Sequence, residues 1–227
     1  MKKNVIALCG VIMFSFLTSC ASKPEPHKQE KMSQEAENFL NMGNANVERG
    51  EYLEAIKNFI YALDLQPNFV EAQYNLGIAF YRNNNYAWAL EAFTKAIEMK
   101  PDYFEAHYNR GNTNVQLKKW DMAIADYTSA LKIQPNNTDA LNNRGSVYLL
   151  QKNYELALND FNALLKKNPN DAFALTNRGI IYSEMGKYTP AIADFEAALK
   201  IDKNNPRIIY NLEKTRQMAN AVSAGES

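Results

Sequence analysis

Residues 75–101 read NLGIAFYRNNNYAWALEAFTKAIEMKP, and this stretch decides the fold. Its first part places Leu76 and Phe80 on one helical face around Gly77, and its second part repeats such a face after a turn of three asparagines. Apolar residues spaced three and four apart predict two amphipathic helices, and the polar turn predicts a short connection between them. The stretch therefore predicts a helical hairpin.

The hairpin pattern recurs every 34 residues along the chain. The recurring residues are Gly43, Gly77, Gly111, Gly145 and Gly179, together with Pro67, Pro101, Pro135 and Pro169. Five units follow, at residues 36–69, 70–103, 104–137, 138–171 and 172–205. Glycine inside a helix costs about 1 kcal/mol relative to alanine, so its recurrence predicts that another backbone passes close by.

Aromatic residues occupy two fixed places in the second half of every unit. They are Tyr52, Tyr86, Trp120, Tyr154 and Tyr188 at the first place, and Phe59, Phe93, Tyr127, Phe161 and Phe195 at the second. This combination closely resembles the tetratricopeptide repeat. The resemblance implies an all-α fold, a right-handed α-solenoid of five tandem tetratricopeptide hairpins over residues 34–205. A capping helix is expected at residues 206–220, followed by a frayed tail at 221–227. Asn46 and Asn114 replace the usual aromatic of the first helix, and we expect them to weaken local packing.

A basic and then apolar segment begins the chain. Lys2 and Lys3 precede an uncharged run over residues 5–17. This order predicts a signal peptide in residues 1–19, because the run is shorter than the ~20 apolar residues of a membrane-spanning helix. The segment ends in Leu-Thr-Ser-Cys20 and so resembles the lipobox of bacterial lipoproteins. That resemblance implies that Cys20 carries lipid and is the first residue of the mature chain.

The segment that follows the cysteine is polar. Residues 20–33 contain Pro24 and Pro26 and have the composition of a flexible tether. Ala21 and Ser22 follow the cysteine without an aspartate, which by resemblance to lipoprotein sorting favours the periplasmic face of the outer membrane. We therefore expect an extracytoplasmic protein that its lipid holds at a membrane.

Charge and motif content exclude several classes of function. The chain has 25 basic and 25 acidic residues, and loss of residues 1–19 leaves a net charge of −2, which disfavours nucleic acid as a partner. No glycine-rich phosphate loop, no histidine pair at metal spacing and no nucleophile beside a base are present in the sequence. We expect no catalytic residue, no metal and no cofactor.

Comparison of the units with each other reveals a pair of residues that occur together. Units three to five carry Arg110, Arg144 and Arg178 before the glycine, and Asp126, Asp160 and Asp194 sixteen residues later. The first two units have neither residue type at these places. We predict three structural ion pairs between the helices of a hairpin, since a local acid already satisfies each guanidinium group.

The resemblance further implies that first helices line a concave groove that binds a partner peptide or helix. The expected groove residues are Tyr74, Asn75, Ile78, Tyr81, Tyr108, Asn109, Asn112, Asn142, Asn143 and Asn177. Among them Asn75, Asn109, Asn143 and Asn177 recur every 34 residues, and these four either bind a ligand backbone or satisfy groups of the array itself. The first four units also carry acidic residues at the groove rim, namely Glu37, Glu71, Glu105 and Asp139. Such a rim favours a neutral or basic partner.

A second surface is indicated by Trp88, Met122 and Leu156, which occur where second helices begin. They either form an interface between copies of the chain or are buried by neighbouring units. The sequence as a whole predicts a membrane-anchored, non-enzymatic adaptor or scaffold that binds a partner protein, in envelope assembly or in recruitment of cell-wall enzymes. The alternatives are an accessory lipoprotein that holds a small ligand for a membrane transporter, and a self-assembling structural lipoprotein.

Overall fold

The computed structural model describes residues 26–225, which fold into eleven α-helices without a β-strand. The helices are α1 (Pro26–Glu48), α2 (Tyr52–Leu65), α3 (Val70–Arg82), α4 (Tyr86–Met99), α5 (Phe104–Gln116), α6 (Trp120–Ile133), α7 (Thr138–Leu150), α8 (Tyr154–Lys167), α9 (Ala172–Glu184), α10 (Tyr188–Ile201) and α11 (Pro206–Gly225). The predicted signal peptide and Cys20 lie outside the described residues. Within residues 26–225, no helix combines the length and the apolar character that crossing a membrane requires. The all-α prediction is confirmed.

The helices pack as five hairpins, α1 with α2 through α9 with α10, and α11 covers the last hairpin. First helices of neighbouring repeats also touch, as α1 does with α3, α3 with α5, α7 with α9 and α9 with α11. Within residues 26–225, neighbouring second helices make no comparable contact. The array is therefore more closely packed along its first helices, so it curves toward them and they line its concave face.

The central glycine of each first helix lies against an aromatic ring of the second helix. A Cβ atom at Gly77 would lie 2.6 Å from Cδ1 of Phe93, and one at Gly111 would lie 2.7 Å from Cε1 of Tyr127. Both rings are buried at the centre of their hairpins. The close neighbour is thus a side chain, and the prediction of a second backbone was wrong. Tight ring packing offsets the ~1 kcal/mol that glycine costs in a helix.

The turn inside each hairpin requires one residue with positive φ. Gly50 and Gly186 supply it in the first and fifth repeats, at φ values of 74° and 72°. The same position holds Asn84, Lys118 and Lys152 in the middle repeats, at φ values of 60°, 56° and 59°. A side chain in this conformation costs roughly 1–2 kcal/mol, so the two lysine turns are strained where the glycine turns are not.

The capping helix protects the end of the array. Ile208 and Leu212 of α11 are buried with the last hairpin in the core, and Thr215 is buried beside them. The hydroxyl groups of Ser183 and Thr215 form a hydrogen bond of 2.9 Å between α9 and α11. Repeat arrays need such a cap because each unit buries its face against a neighbour.

Both ends of the described region differ from the predicted boundaries. α1 begins at Pro26, so residues 26–33 of the predicted tether are helical. Proline suits the first turn of a helix, and the lysine, glutamine and glutamate residues that follow are good helix formers. α11 continues through an alanine-rich segment to Gly225, beyond the predicted end of the capping helix at residue 220.

Candidate functional site

The concave face carries the predicted groove residues in the middle of the array. We call the surface lined by Ile78 and Tyr81 of α3, Tyr108 and Asn112 of α5 and Asn143 of α7 the first-helix groove. All five side chains are half-buried, so each packs against the array with one side and faces the groove with the other. The curvature of the array, set by the close first helices, brings the three helices together.

An open cavity of about 240 Å³ lies in the first-helix groove between repeats two and four. Its lining consists of Tyr81, Asn112, Val115, Gln116, Tyr127, Asn143, Ser146, Val147 and Leu150. Leu150 is 66% exposed, and Gln116 is exposed as well. Amide and hydroxyl groups thus alternate with apolar side chains, a surface suited to an extended segment with both polar backbone and apolar side chains.

The asparagines of the groove connect successive repeats. Asn109 Nδ2 donates to the hydroxyl of Tyr74 at 2.9 Å, and Asn143 Nδ2 donates to the hydroxyl of Tyr108 at 3.0 Å. Asn143 Nδ2 also lies 3.0 Å from Asn112 Oδ1. In each case the donor belongs to the repeat that follows the acceptor. The structure therefore has these amides engaged between repeats, which favours the second of the two roles that the sequence left open.

The outer asparagines extend this pattern. Asn75 Nδ2 donates to Asn44 Oδ1 at 2.8 Å, and Asn177 Oδ1 accepts from Arg207 Nη2 at 2.9 Å. Asn142 Oδ1 and Asn177 Nδ2 are buried and have no hydrogen-bond partner within the described residues. Buried polar atoms of this kind are rare in folded proteins.

A tyrosine pair stands at the edge of the groove where first helices begin. The rings of Tyr74 and Tyr103 lie with their centroids 4.9 Å apart. Burial raises the pKa of each phenol to about 12, and the negative charge of Glu105 contributes to both shifts. The ammonium group of Lys100 lies 4.9 Å from the centroid of the Tyr103 ring. The edge therefore combines aromatic faces, carboxylates and one cation.

The sequence did not point to Tyr103 or Lys100, because Tyr103 occupies the last position of its unit, where a turn residue is expected. Later units hold Asn137 and Asp171 there, and their side chains cap α7 and α9 by accepting from the Ala140 and Ala174 amides. An aromatic residue at a capping position was the available signal. At this place a half-buried ring replaces a side chain that could cap the helix.

Two further tyrosines form the floor of the groove. The rings of Tyr108 and Tyr127 have centroids 5.9 Å apart. Tyr127 is buried, and its hydroxyl donates to Asn112 Oδ1 at 2.7 Å. Burial raises the pKa of both phenols, and for Tyr108 the charge of Asp139 acts in the same direction. The floor is thus neutral and held in place by hydrogen bonds.

The three arginine–aspartate pairs are present between the helices of their hairpins. The Nη2–Oδ1 distances are 2.6 Å for Arg110–Asp126, 2.7 Å for Arg144–Asp160 and 2.8 Å for Arg178–Asp194. Each arginine also bonds the preceding second helix, through Thr94 at 3.2 Å, Thr128 at 3.0 Å and Asn162 at 2.8 Å. Each guanidinium group therefore joins three helices. The hydrogen bonds to Asp160 and Asp194 raise the pKa of Arg144 and of Arg178, respectively.

Asn114 belongs to the same network and does not simply weaken the packing, as the sequence suggested. Its side chain is buried, and Nδ2 donates to Asp126 Oδ2 at 2.8 Å. In the first repeat, Asn46 is bonded to Asn58 at 2.8 Å and to Glu51 at 2.6 Å. At both positions hydrogen bonds of the asparagine replace the packing of the usual aromatic side chain.

Trp88, Met122 and Leu156 begin the second helices in the same register and are 44%, 57% and 47% exposed. The sequence left open whether neighbouring repeats bury these side chains or whether they form an interface. Neighbouring repeats do not bury them, so the prediction of burial was wrong. The Trp88 ring stacks on Phe80 with centroids 6.2 Å apart. The row lies on the second helices, away from the first-helix groove.

Among residues 26–225, no cluster of histidine, cysteine or acidic side chains could hold a metal ion.

Models of the tetratricopeptide repeat match residues 40–104 and, as three successive repeats, residues 104–137, 138–171 and 172–205. Among curated protein sequences, none matches the chain.

Several solved structures are similar to the chain over most of its length. YrrB, described as a TPR protein with an unusual peptide-binding site, is 22% identical with a TM-score of 0.72, covering 81% of this chain and 95% of YrrB. MamA (residue 41 to its end) from Desulfovibrio magneticus RS-1 is 19% identical with a TM-score of 0.71, covering 77% and 99%. A tetratricopeptide repeat protein from Parabacteroides merdae ATCC 43184 is 22% identical with a TM-score of 0.75, covering 82% and 74%.

At these identities the structural likeness shows the fold alone. The models of the repeat, however, match a continuous stretch from residue 40 to residue 205 and place their last three boundaries at the 34-residue units read from the sequence. The chain therefore belongs to the tetratricopeptide repeat family.

Proposed function

We propose that the protein is a non-enzymatic adaptor that holds a peptide or helix of a partner protein in its first-helix groove. The observation that carries this proposal is the open cavity of about 240 Å³, which combines exposed Leu150 and Gln116 with amides fixed by the array. The cavity is open, whereas sites for small molecules usually enclose most of their ligand. This openness favours a macromolecular segment over the small ligand of a transport accessory protein.

The likeness to YrrB is in keeping with the proposal, because that protein is described as having a peptide-binding site. Identity of 22% does not transfer the site residue by residue. The support from this chain is its own groove geometry.

We further propose that lipid on Cys20 anchors the protein on the extracytoplasmic side of a membrane, at the periplasmic face of the outer membrane. The supporting observation is the order of Lys2, Lys3, the uncharged run and Leu-Thr-Ser-Cys. A partner held there belongs to envelope assembly or to recruitment of cell-wall enzymes. Mass spectrometry of the mature amino terminus tests the anchor, since an unmodified Cys20 would contradict it.

The groove itself is tested by mild crosslinking of the full-length protein in its own membranes, followed by identification of what is captured. Substitution of Tyr74, Tyr108 or Asn112 would break hydrogen bonds between repeats, so loss of a partner could follow from misfolding. Exposed Gln116 and Leu150 avoid this, and we expect Gln116→Ala/Leu150→Ala to lose the captured protein.

The matched control is Asn159→Ala/Ile201→Ala, which removes an amide and an aliphatic side chain from exposed positions on second helices. We expect this control to capture as much partner as the unmodified chain. Equal capture by the groove variant would contradict binding in the first-helix groove.

A second function, self-assembly, is favoured by one observation, the exposed row of Trp88, Met122 and Leu156. If the row joins copies of the chain, sedimentation should show a mass that rises with concentration and that Trp88→Glu/Met122→Glu abolishes. A concentration-independent monomer would exclude it.

A further inference from the structure

Exposed carboxylates flank the first-helix groove, one per repeat. Glu71, Glu105 and Asp139 each occupy the second residue of a first helix, and all three are exposed. At the same position the next two helices carry Phe173 and Arg207, so the negative charge ends after the fourth repeat. All three repeats that form the cavity therefore have an acidic rim.

Aromatic faces lie among these carboxylates. The charges of Glu71 and Glu105 are close enough to raise the pKa of the Tyr103 phenol, and the charge of Glu105 reaches Tyr74 as well. Tyr108 is near enough to Asp139 for its pKa to rise in the same way. A cation placed over such a ring interacts with the ring face and with the carboxylates together.

One cation of the chain already occupies this environment. Lys100 directly follows α4 and is exposed, and its Nζ lies 4.9 Å from the centroid of the Tyr103 ring. The contact shows that an ammonium group fits against the ring. Lys100 has a flexible side chain, so an incoming cation can displace it.

The acidic edge lies toward the beginning of the first helices and the cavity toward their ends, because Tyr81, Gln116 and Leu150 are among the last two residues of α3, α5 and α7. Tyr108, the fifth residue of α5, lies between them and is near both Asp139 and Tyr81, and Tyr81 lines the cavity together with Val147 and exposed Leu150. A segment that crosses the groove therefore meets carboxylates and tyrosine rings first and an apolar wall next. The chain as a whole has equal numbers of acidic and basic residues, so this preference is local and does not come from net charge.

We propose that repeats two to four select a partner segment that presents a lysine or arginine side chain to Glu71, Glu105 and the Tyr74–Tyr103 pair, and an apolar side chain a few residues away to the cavity. This inference rests on the proposed adaptor function and specifies the chemistry of the partner. The occupant is a basic peptide segment of a protein.

The test is selection of random 12-residue peptides on the full-length chain, followed by fluorescence polarisation with the selected peptides. We expect selected peptides to contain lysine or arginine a few residues from an apolar residue, with affinity that falls as salt rises. Replacing that basic residue with glutamine, or the chain's carboxylates by Glu71→Gln/Glu105→Gln, should weaken binding about tenfold. The control Glu98→Gln/Glu155→Gln removes the same charge from exposed positions of second helices and should leave binding unchanged.

A variant that gains affinity separates recognition from damage to the fold. Lys100→Met removes the internal ammonium group from the Tyr103 ring, so basic peptides should bind several-fold more tightly. A destabilised protein would not show this gain. Weaker or unchanged binding by Lys100→Met would contradict the role given to the ring.

The outcomes distinguish this inference from the adaptor function. Peptides that depend on Gln116 and Leu150 but show no basic preference would overturn the inference and leave the adaptor function standing. Selection of no peptide at all would overturn the inference, and the crosslinking experiment would then decide the adaptor function by itself.

Discussion

Removal of the Arg144 guanidinium group is expected to cost about 3 kcal/mol of unfolding free energy. The carboxylate of Asp160 is 5% exposed and receives Nη2 at 2.7 Å and Nε at 2.9 Å, while Nη1 bonds Thr128 at 3.0 Å. In Arg144→Met the carboxylate stays buried without its partner, which costs roughly 3–5 kcal/mol in other proteins. Arg144 is itself 19% exposed, so water reaches the site and the lower end of that range applies.

The double variant Arg144→Met/Asp160→Leu distinguishes loss of the ion pair from the cost of leaving the Asp160 carboxylate buried without a partner. An apolar pair leaves no charge to be buried, so the double variant should be more stable than Arg144→Met alone by about 2 kcal/mol. The control is Arg49→Met, which breaks an exposed ion pair with Glu51 of 3.0 Å and should cost less than about 1 kcal/mol.

Urea unfolding followed by circular dichroism measures these differences, and hydrogen exchange reports whether α7 and α8 open before the rest of the array. The local measurement is needed because repeat arrays can unfold in parts. A loss below about 1 kcal/mol in Arg144→Met, or no recovery in the double variant, would refute the reasoning that this pair is a buried link between three helices.

Three further predictions concern the repeats themselves. Gly77→Ala should destabilise the protein by about 1–2 kcal/mol because its Cβ would lie 2.6 Å from a buried ring, whereas the same change at Gly145, where the nearest atom is 3.2 Å away, should be near neutral in the same urea assay. Lys152→Gly should raise stability by about 0.5–1 kcal/mol, because it relieves a residue held at φ 59°, and an unchanged midpoint would contradict the strain. The pKa of Tyr74 is raised to about 12, so the neutral phenol stabilises the fold below pH 10 and that contribution, roughly 1–2 kcal/mol, is lost as the pH rises toward 12. Between pH 9 and pH 11.5 the melting temperature of the unmodified chain should therefore fall further than that of Tyr74→Phe. Equal falls in the two proteins would contradict the burial of this phenol.

The helical array was predictable because its pattern repeats. A glycine, an alanine and two aromatic positions recur at a fixed spacing, so one hairpin explains all five, and the co-occurrence of arginine and aspartate identified contacts sixteen residues apart. Each of these signals depends only on comparison within the chain. The ends of the array lack that support, which is why the start of α1 at Pro26 and the length of α11 were misjudged.

The groove was only partly predictable for a physical reason. Sequence places Asn109 and Asn143 on the correct face, but the rotamer of each side chain decides whether the amide faces a ligand or the next repeat. Their bonds to Tyr74 and Tyr108 became evident only in the folded array. Tyr103 was missed because it lies in the turn before α5, whereas its partner Tyr74 lies inside α3, and the repeat pattern does not relate these two positions.

The most direct test of the adaptor function is partner capture by the full-length chain in its own membranes, compared between the unmodified protein and Gln116→Ala/Leu150→Ala at equal abundance and equal melting temperature. The groove account predicts that a crosslinked partner protein is present with the unmodified chain and with Asn159→Ala/Ile201→Ala and is lost from the groove variant. A partner retained by all three proteins would contradict the central claim and place binding elsewhere on the molecule.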